Sequence, residues 1–322
     1  MIKLGALGDV INTFPLAVHL KENLNCEIHW LVAPLSRPLV EAHPCVDQVI
    51  PFDKNNFFES LKRVWPRLRR EGYDITLDLQ RILKSGLFTL ATQSRRKIGF
   101  DKKRCKEMTW ILPFERIPPA NPTAHMLDQY MEFATHLGLP PAERVQWKLP
   151  RTDALPPGLP KDFIVLNIGA TKKENQWAPE HFATLAQNID QALGLPCVLT
   201  GGPEDRETGK IIEAKTRVNR VNMVGKTNLE ELVEVLARAQ CTISCDTGPM
   251  HLARALGTEL IALFGPSNPN RTGPYGGRVI KKGENPLPIP METIAPKDVM
   301  DLLNPILNIK MKDSKGCGKA HA

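Results

Sequence analysis

The stretch Cys241-Thr242-Ile243-Ser244-Cys245-Asp246-Thr247-Gly248-Pro249-Met250-His251-Leu252-Ala253-Arg254-Ala255-Leu256-Gly257 reads as a buried strand that runs directly into a helix. Thr247 is suited to capping, Pro249 fits a first turn where its missing N–H costs nothing, and Gly257 supplies a left-handed stop. The next apolar run, Leu260 to Phe264, has the length of a buried strand. Strand, helix and strand in this order form a parallel crossover unit, which places the chain in the α/β class. A helix that opens at the carboxyl end of a strand aims free backbone amides and a positive dipole outward, and both favour phosphate. His251 then falls in the first turn, placed to donate to a diphosphate. The plainer reading is that Asp246 and Thr247 cap the helix and His251 is an ordinary surface histidine.

The same alternation extends in both directions. Strands are expected at Phe163 to Ile168, Cys197 to Thr200 and Arg220 to Val224, with a helical pattern at Glu230 to Ala239. Earlier, strands are expected up to Leu4 and at Glu27 to Val32, Asp47 to Phe52, Ile75 to Gln80 and Lys97 to Phe100. Between them lie amphipathic stretches such as Phe57 to Arg70, where Phe57, Phe58, Leu61, Val64 and Leu68 recur at helical spacing against a basic face. Only about four residues precede Gly5, short for a central strand of about five to six residues, which suggests a start codon set too late. Pro150 to Asp162 is proline-rich and too stiff for a sheet, so it is read as a linker. At 322 residues the chain suits two doubly wound, Rossmann-like domains, 1–155 and 156–309, facing a cleft. The last helical segment, Ala295 to Leu307, is expected to pack back on the first domain. The basic tail 310–322 is expected to be poorly ordered.

Composition narrows the class. Hydrophobic residues make up 42% and charged ones 24%, the balance of a globular chain, and no apolar run approaches the roughly 20 residues of a spanning helix. The start has no basic, apolar and small-residue sequence of a secretory signal. Seven cysteines are scattered without a Cys-x-x-Cys pair, so a disulfide framework is not expected and a reducing cytosol fits. Cys241 and Cys245 share a strand face without a ligand cluster, and no metal motif is read anywhere. The net charge of +7 points to an anionic partner. Its densest runs, Lys62-Arg63 with Arg67 to Arg70 and Arg95-Arg96-Lys97 through Lys106, lack the interleaved aromatics of a base-stacking platform, which argues against nucleic acid. Each run taken singly fits a solvated face.

A second loop follows the next strand: Phe264-Gly265-Pro266-Ser267-Asn268-Pro269-Asn270-Arg271-Thr272-Gly273-Pro274. Its glycines allow close backbone approach and its hydroxyls and amides offer donors. Joined to Asp246-Thr247-Gly248-x-x-His251-x-Ala253-x-Ala255, this pattern resembles the heptosyltransferases of glycosyltransferase family 9. Leu4-Gly5-Ala6-Leu7-Gly8-Asp9-Val10-Ile11-Asn12-Thr13-Phe14-Pro15 is similar to the family's opening. Asp78-Leu79-Gln80 with Lys84-Ser85, then Arg96 to Asp101, then His125-x-x-Asp128-x-Tyr130 follow in the expected order. The resemblance covers nearly the whole chain.

The resemblance implies a GT-B fold, an acceptor held by the first domain and an ADP-sugar held by the second. It implies inverting transfer of L-glycero-D-manno-heptose from ADP-heptose, a donor substrate with no further cofactor, to the Kdo-lipid A or heptosyl inner core of lipopolysaccharide. The setting would be the cytoplasm, with peripheral contact at the inner membrane and an acidic, phosphorylated glycolipid as acceptor. Asp9 matches the family's proposed general base; a helix N-cap is the bland alternative. Thr171, Asp205, Asp246, Thr247, Gly248 and His251 match the donor side, while Gly8, Arg95, Arg96 and Lys97 are assigned to the acceptor. The sequence departs from the family at Asn175, where Asn175-Gln176-Trp177 replaces a Lys-x-Trp motif; Lys172 or Lys173 is the candidate substitute cation. The acidic residue after Gly201-Gly202-Pro203 is Glu204 or Asp205, with Asp205 preferred. The alternatives are transfer of another nucleotide-linked sugar, a nucleotide-sugar epimerase of the same architecture, or a non-catalytic nucleotide-sugar binder, the last favoured by Asn175.

Overall fold

Every strand pairing among the described residues is parallel, as a chain that alternates short apolar runs with amphipathic ones requires. The computed structural model of the chain describes residues 1–151, 154–216, 218, 220–282 and 289–316, with side chains of the last helix as far as Leu307. The chain divides into two units, Met1–Pro150 and Arg151–Ala322.

In the first unit β1 (His29–Val32) pairs with β2 (Gln48–Pro51), and β3 (Ile75–Asp78), β4 (Arg96–Gly99) and β5 (Glu115–Arg116) pair in that order. Ile2 joins the two groups through isolated parallel bridges to Leu31 and Asp78. The strand expected up to Leu4 is therefore reduced to a bridge. Its backbone bonds run from the Met1 carbonyl as far as the Leu4 carbonyl, but the N–H groups of Leu4 and Gly5 turn to the Gln80 side chain, 3.0 and 3.4 Å away, and the ladder goes no further. Ile2, Leu31, Ile50, Phe52, Val64, Leu68 and Phe88 form one apolar cluster of this unit. The helix Phe57–Arg70 has the expected limits and buries Val64 and Leu68, while Arg67, Arg69 and Arg70 occupy its last turn, where cations oppose the helix dipole.

In the second unit β6 (Ile164–Asn167), β7 (Cys197–Thr200), β8 (Arg220–Asn222), β9 (Cys241–Cys245), β10 (Leu260–Leu263) and β11 (Arg278–Ile280) form one sheet in the order β11-β10-β9-β6-β7-β8. β6, β7, β9 and β10 are buried at every position, the mark of a parallel sheet with helices on both faces. Chain order reverses between β6 and β9, which makes the carboxyl ends of these two strands the topological switch point.

The last helix runs Pro296–Gly316, and Val299, Leu303, Ile306 and Leu307 pack into the second unit's core with Trp177, Phe182 and Ile189. Its apolar stripe at helical spacing matches the surface of the neighbouring helix Pro179–Leu193. The helix continues past 310, since no glycine or further proline interrupts it between Pro305 and Gly316. Residues 317–322 lie outside the described residues, as do Thr152 and Asp153 of the linker. No helix among the described residues is long and apolar enough to cross a membrane.

Candidate active site

In the first unit the chain leaves the sheet at Leu4 and enters a short helix, Leu7–Ile11, at the carboxyl edge of β1 and β3. Ala6 is the N-cap and makes no side-chain cap bond, so Asp9 lies inside the first turn and the N-cap alternative falls away. Both of its carboxylate oxygens are held. Lys3 Nζ donates to Oδ2 at 3.0 Å, and the Tyr130 hydroxyl donates to Oδ1 at 3.3 Å. The Lys3 ammonium is also 5.1 Å from the Tyr130 ring centroid. Lys3 is 1% exposed and the Asp9 side chain 35% exposed, so the cation is sealed beneath a carboxylate that still faces solvent. Burial pulls the Lys3 ammonium below its ordinary range, and Asp9 pulls it back.

Asp78, at the end of β3, is the inward counterpart of Asp9. Burial pushes its carboxyl up, against hydrogen bonds from Ser85 Oγ at 3.1 Å and from the Gln80 and Arg81 amides at 3.0 and 3.4 Å. The Asp78-Leu79-Gln80 and Lys84-Ser85 segments thus serve the site from below: Gln80 fixes the Leu4–Gly5 backbone, and Ser85 ties Asp78 to the helix Leu83–Ala91. His125 caps the helix Met126–His136 through its ring nitrogen, 3.1 Å from the Leu127 amide, and this helix delivers Tyr130. Lys3 was missed from sequence. The available signal was a cation flanked by Ile2 and Leu4 at a buried position, which demands an anionic partner somewhere in the fold.

Of the acceptor candidates, the structure brings only Gly8 beside Asp9. Arg95, Arg96 and Lys97 sit at the opposite, amino-terminal edge, because Arg96 pairs with Ile75 at the start of two parallel strands. Arg96 is engaged with Glu115 at 2.9 and 2.6 Å, and Lys97 donates to the Ser94 carbonyl at 3.1 Å.

In the second unit the donor candidates gather at the carboxyl ends of β6, β7 and β9. The helix Gly248–Ala255 starts directly after Cys245-Asp246-Thr247, with Thr247 as N-cap in an extended conformation and without a side-chain cap bond, and Gly257 closes the turn beyond it at φ +76°. The first amides of this helix are thus oriented for an anion rather than satisfied by Thr247. His251, in that helix, is buried. Asp246 receives Asn175 Nδ2 at 3.4 Å, and burial raises its carboxyl above the ordinary range while the charge of Lys172 pulls it down. Asn175 is 5% exposed and its Oδ1 has no partner among the described residues. A neutral amide therefore faces Asp246 where the family pattern has a cation. Of the two candidate substitutes, it is Lys172 whose charge reaches Asp246.

Of the two acidic residues after Gly201-Gly202-Pro203, Asp205 is buried and Glu204 exposed. Asp205 accepts from the Gly202 amide through Oδ2 at 2.8 Å. It presses so closely on Gly169 that a Cβ there would lie 2.4 Å from Oδ2, and Gly201 is crowded by the same carboxylate. Asp205 thus locks the loops after β6 and β7 together, and burial pushes its carboxyl up. Thr171 stands exposed on the loop after β6. Asn167, at the end of β6, bridges to Ser244 on β9 at 3.0 Å, cross-bracing the switch point. No group of three or more His, Cys, Asp or Glu among the described residues is arranged to hold a metal ion.

Comparison with known proteins bears on this arrangement. Residues 61–288 match the model of glycosyltransferase family 9 (heptosyltransferase). The lipopolysaccharide core heptosyltransferase OpsX of Haemophilus influenzae is 30% identical over 286 residues, 85% of this chain and 81% of that protein. Lipopolysaccharide heptosyltransferase 1 of Pseudomonas aeruginosa is 27% identical over 88% of this chain and 83% of its own. In fold, the chain superposes on Escherichia coli heptosyltransferase WaaC with ADP at a TM-score of 0.81, with 22% identity, over 95% of this chain and 98% of that one.

Proposed function

We propose, for a chain that belongs to glycosyltransferase family 9 and has the GT-B fold, the inverting transfer of L-glycero-D-manno-heptose from ADP-heptose to the Kdo-lipid A or heptosyl inner core of lipopolysaccharide. Heptosyl transfer in lipopolysaccharide core assembly accords with the relatives, which carry that activity in their names. The first unit takes the acceptor and the second the nucleotide sugar.

The observation that carries the reading is the Asp9 carboxylate, held on both oxygens by Lys3 and Tyr130 yet open to solvent. An acceptor hydroxyl placed against Asp9 gives up its proton as its oxygen attacks the anomeric carbon from the face opposite the diphosphate. The bond from the anomeric carbon to the diphosphate oxygen breaks with both electrons, ADP departs, and the configuration inverts. Positioned base catalysis of this kind contributes about 10²–10⁴-fold in rate. Lys3 stays beneath the carboxylate and orients it, and this contact with a buried ammonium keeps Asp9 from swinging away.

On the donor side, Gly248 and the following amides with the helix dipole receive the negative charge that builds on the diphosphate, as an oxyanion hole does. Thr171, Thr247 and His251 supply polar contacts, Lys172 supplies the cation that Asn175 cannot, and Asp205 sets the loop positions. A non-catalytic binder would retain this pocket, and Asn175 favours that second reading; the Lys3–Asp9–Tyr130 assembly has no use in a binder.

The test is acceptor-dependent release of ADP from ADP-heptose by the purified protein, with heptose-deficient lipopolysaccharide as acceptor. ADP should inhibit far better than GDP or UDP. Release that ignores the acceptor, or equal inhibition by the three nucleotides, would remove the donor assignment.

A further inference from the structure

The helix Leu83–Ala91 buries Ser85, Phe88 and Thr89 and turns a second apolar stripe outward. Leu83, Leu87 and Leu90, spaced to share one face, are 42%, 44% and 38% exposed. A helix on a solvated surface carries polar residues there. The short turn Thr109–Ile111 lies against the same helix: the Leu83 amide donates to Glu107 at 3.0 Å, and a Cβ on Gly86 would sit 2.3 Å from a Leu112 methyl. That turn adds Trp110 and Ile111, both exposed. On the other side, Lys84 Nζ is 5.3 Å from the Phe57 ring centroid, which brings in Phe58, 76% exposed. These six side chains make one apolar surface, the kind that marks an interaction site.

Charge identifies what covers it. Lys84, Lys102, Lys103 and Lys106 are exposed around the patch, and the Lys102 ammonium is 4.3 Å from the Trp110 ring centroid. Protein interfaces are depleted in lysine. Exposed leucine, phenylalanine and tryptophan ringed by lysine instead match a surface that rests in the headgroup region of an anionic bilayer. The helix starts at the carboxyl edge of β3, tied there by Ser85 to Asp78, and this is the edge from which Asp9 faces solvent.

We propose that this face, around Leu87, Leu90 and Ile111, docks the enzyme on an anionic lipid bilayer, so that the sugar head of a membrane-anchored acceptor meets Asp9. The proposal deepens the functional reading above and rests on it for the identity of the acceptor, but docking is measured without catalysis. The full chain is sedimented with vesicles of phosphatidylcholine with or without phosphatidylglycerol, at low and high salt. Wild type should bind the anionic vesicles, shift its tryptophan emission to the blue, and release at high salt. A Leu87→Ser, Leu90→Ser, Ile111→Ser variant with wild-type circular dichroism should bind at least about tenfold more weakly, since each truncation removes several methylene groups from the interface. With a delipidated, water-soluble acceptor it should keep the wild-type kcat/KM, which also reports on the transferase reading independently. Failure of the wild type to bind anionic vesicles, undiminished binding by the variant, or a concentration-dependent dimer abolished by the same substitutions would overturn the proposal.

Discussion

Asp9 of the first unit and the two carboxylates at the donor end of the second sit in opposite settings. In the first, Asp9 is partly exposed and paired with a buried ammonium; in the second, Asp205 and Asp246 are drawn inward and meet backbone amides or a neutral side-chain amide. A carboxylate that must accept a proton from substrate needs access and a fixed orientation. One that shapes a loop needs burial and hydrogen bonds, and its carboxyl rises accordingly. The contrast marks which carboxylate is placed to take a proton and which are placed to hold loops, without reference to any relative.

The largest effect that would sharpen this contrast is expected at Asp9. Asp9→Asn, nearly the same shape, should lower kcat by about 10²–10⁴-fold, and steady-state ADP release measures it directly; a loss below tenfold would move the base elsewhere. Next comes Lys3→Met, which keeps the buried volume and removes the cation. Turnover should fall by roughly 10- to 100-fold through loss of orientation. The acid limb of the kcat profile should move to higher pH, because an opposite charge near a carboxylate favours its ionised form; an unmoved limb would mean that Lys3 is packing alone.

Smaller effects are expected in the second unit. Asn175→Lys should tighten ADP binding by about fivefold, the gain of a charge-assisted contact over a neutral one, read by calorimetry; unchanged affinity would mean that Lys172 already satisfies the diphosphate. The smallest concerns stability. The folded Asp246 carboxyl lies above its unfolded value, so its contribution is complete below the ordinary range near about pH 4 and is lost as pH rises through the raised folded value. Asp246→Asn has no such loss. The difference in Tm should therefore shift in favour of the variant as pH climbs from the ordinary range upward, and a flat difference would show that the carboxylate is not penalised by burial.

Much of this was readable in residues. Cys197–Thr200 and Cys241–Cys245 fall where their apolar character puts them, because strands buried on both faces leave little freedom in composition. The helix opening at Gly248 was legible from Pro249, whose φ is fixed, and from Gly257, which tolerates the left-handed turn beyond it. Partners far apart in sequence were not legible. Lys3 and Tyr130 meet Asp9 across six and 121 positions, and nothing local announces that meeting. The location of the basic run Arg95-Arg96-Lys97 was not legible for a related reason: charge density does not say which end of a strand carries it, and strand direction put it at the edge away from Asp9.

The division of labour between the units is tested most directly by titrating ADP into wild type, Asp9→Asn and Asp246→Ala in the calorimeter. The account predicts wild-type affinity for Asp9→Asn and weakened affinity for Asp246→Ala. Equal affinity for Asp246→Ala and wild type, or a loss at Asp9→Asn, would contradict it.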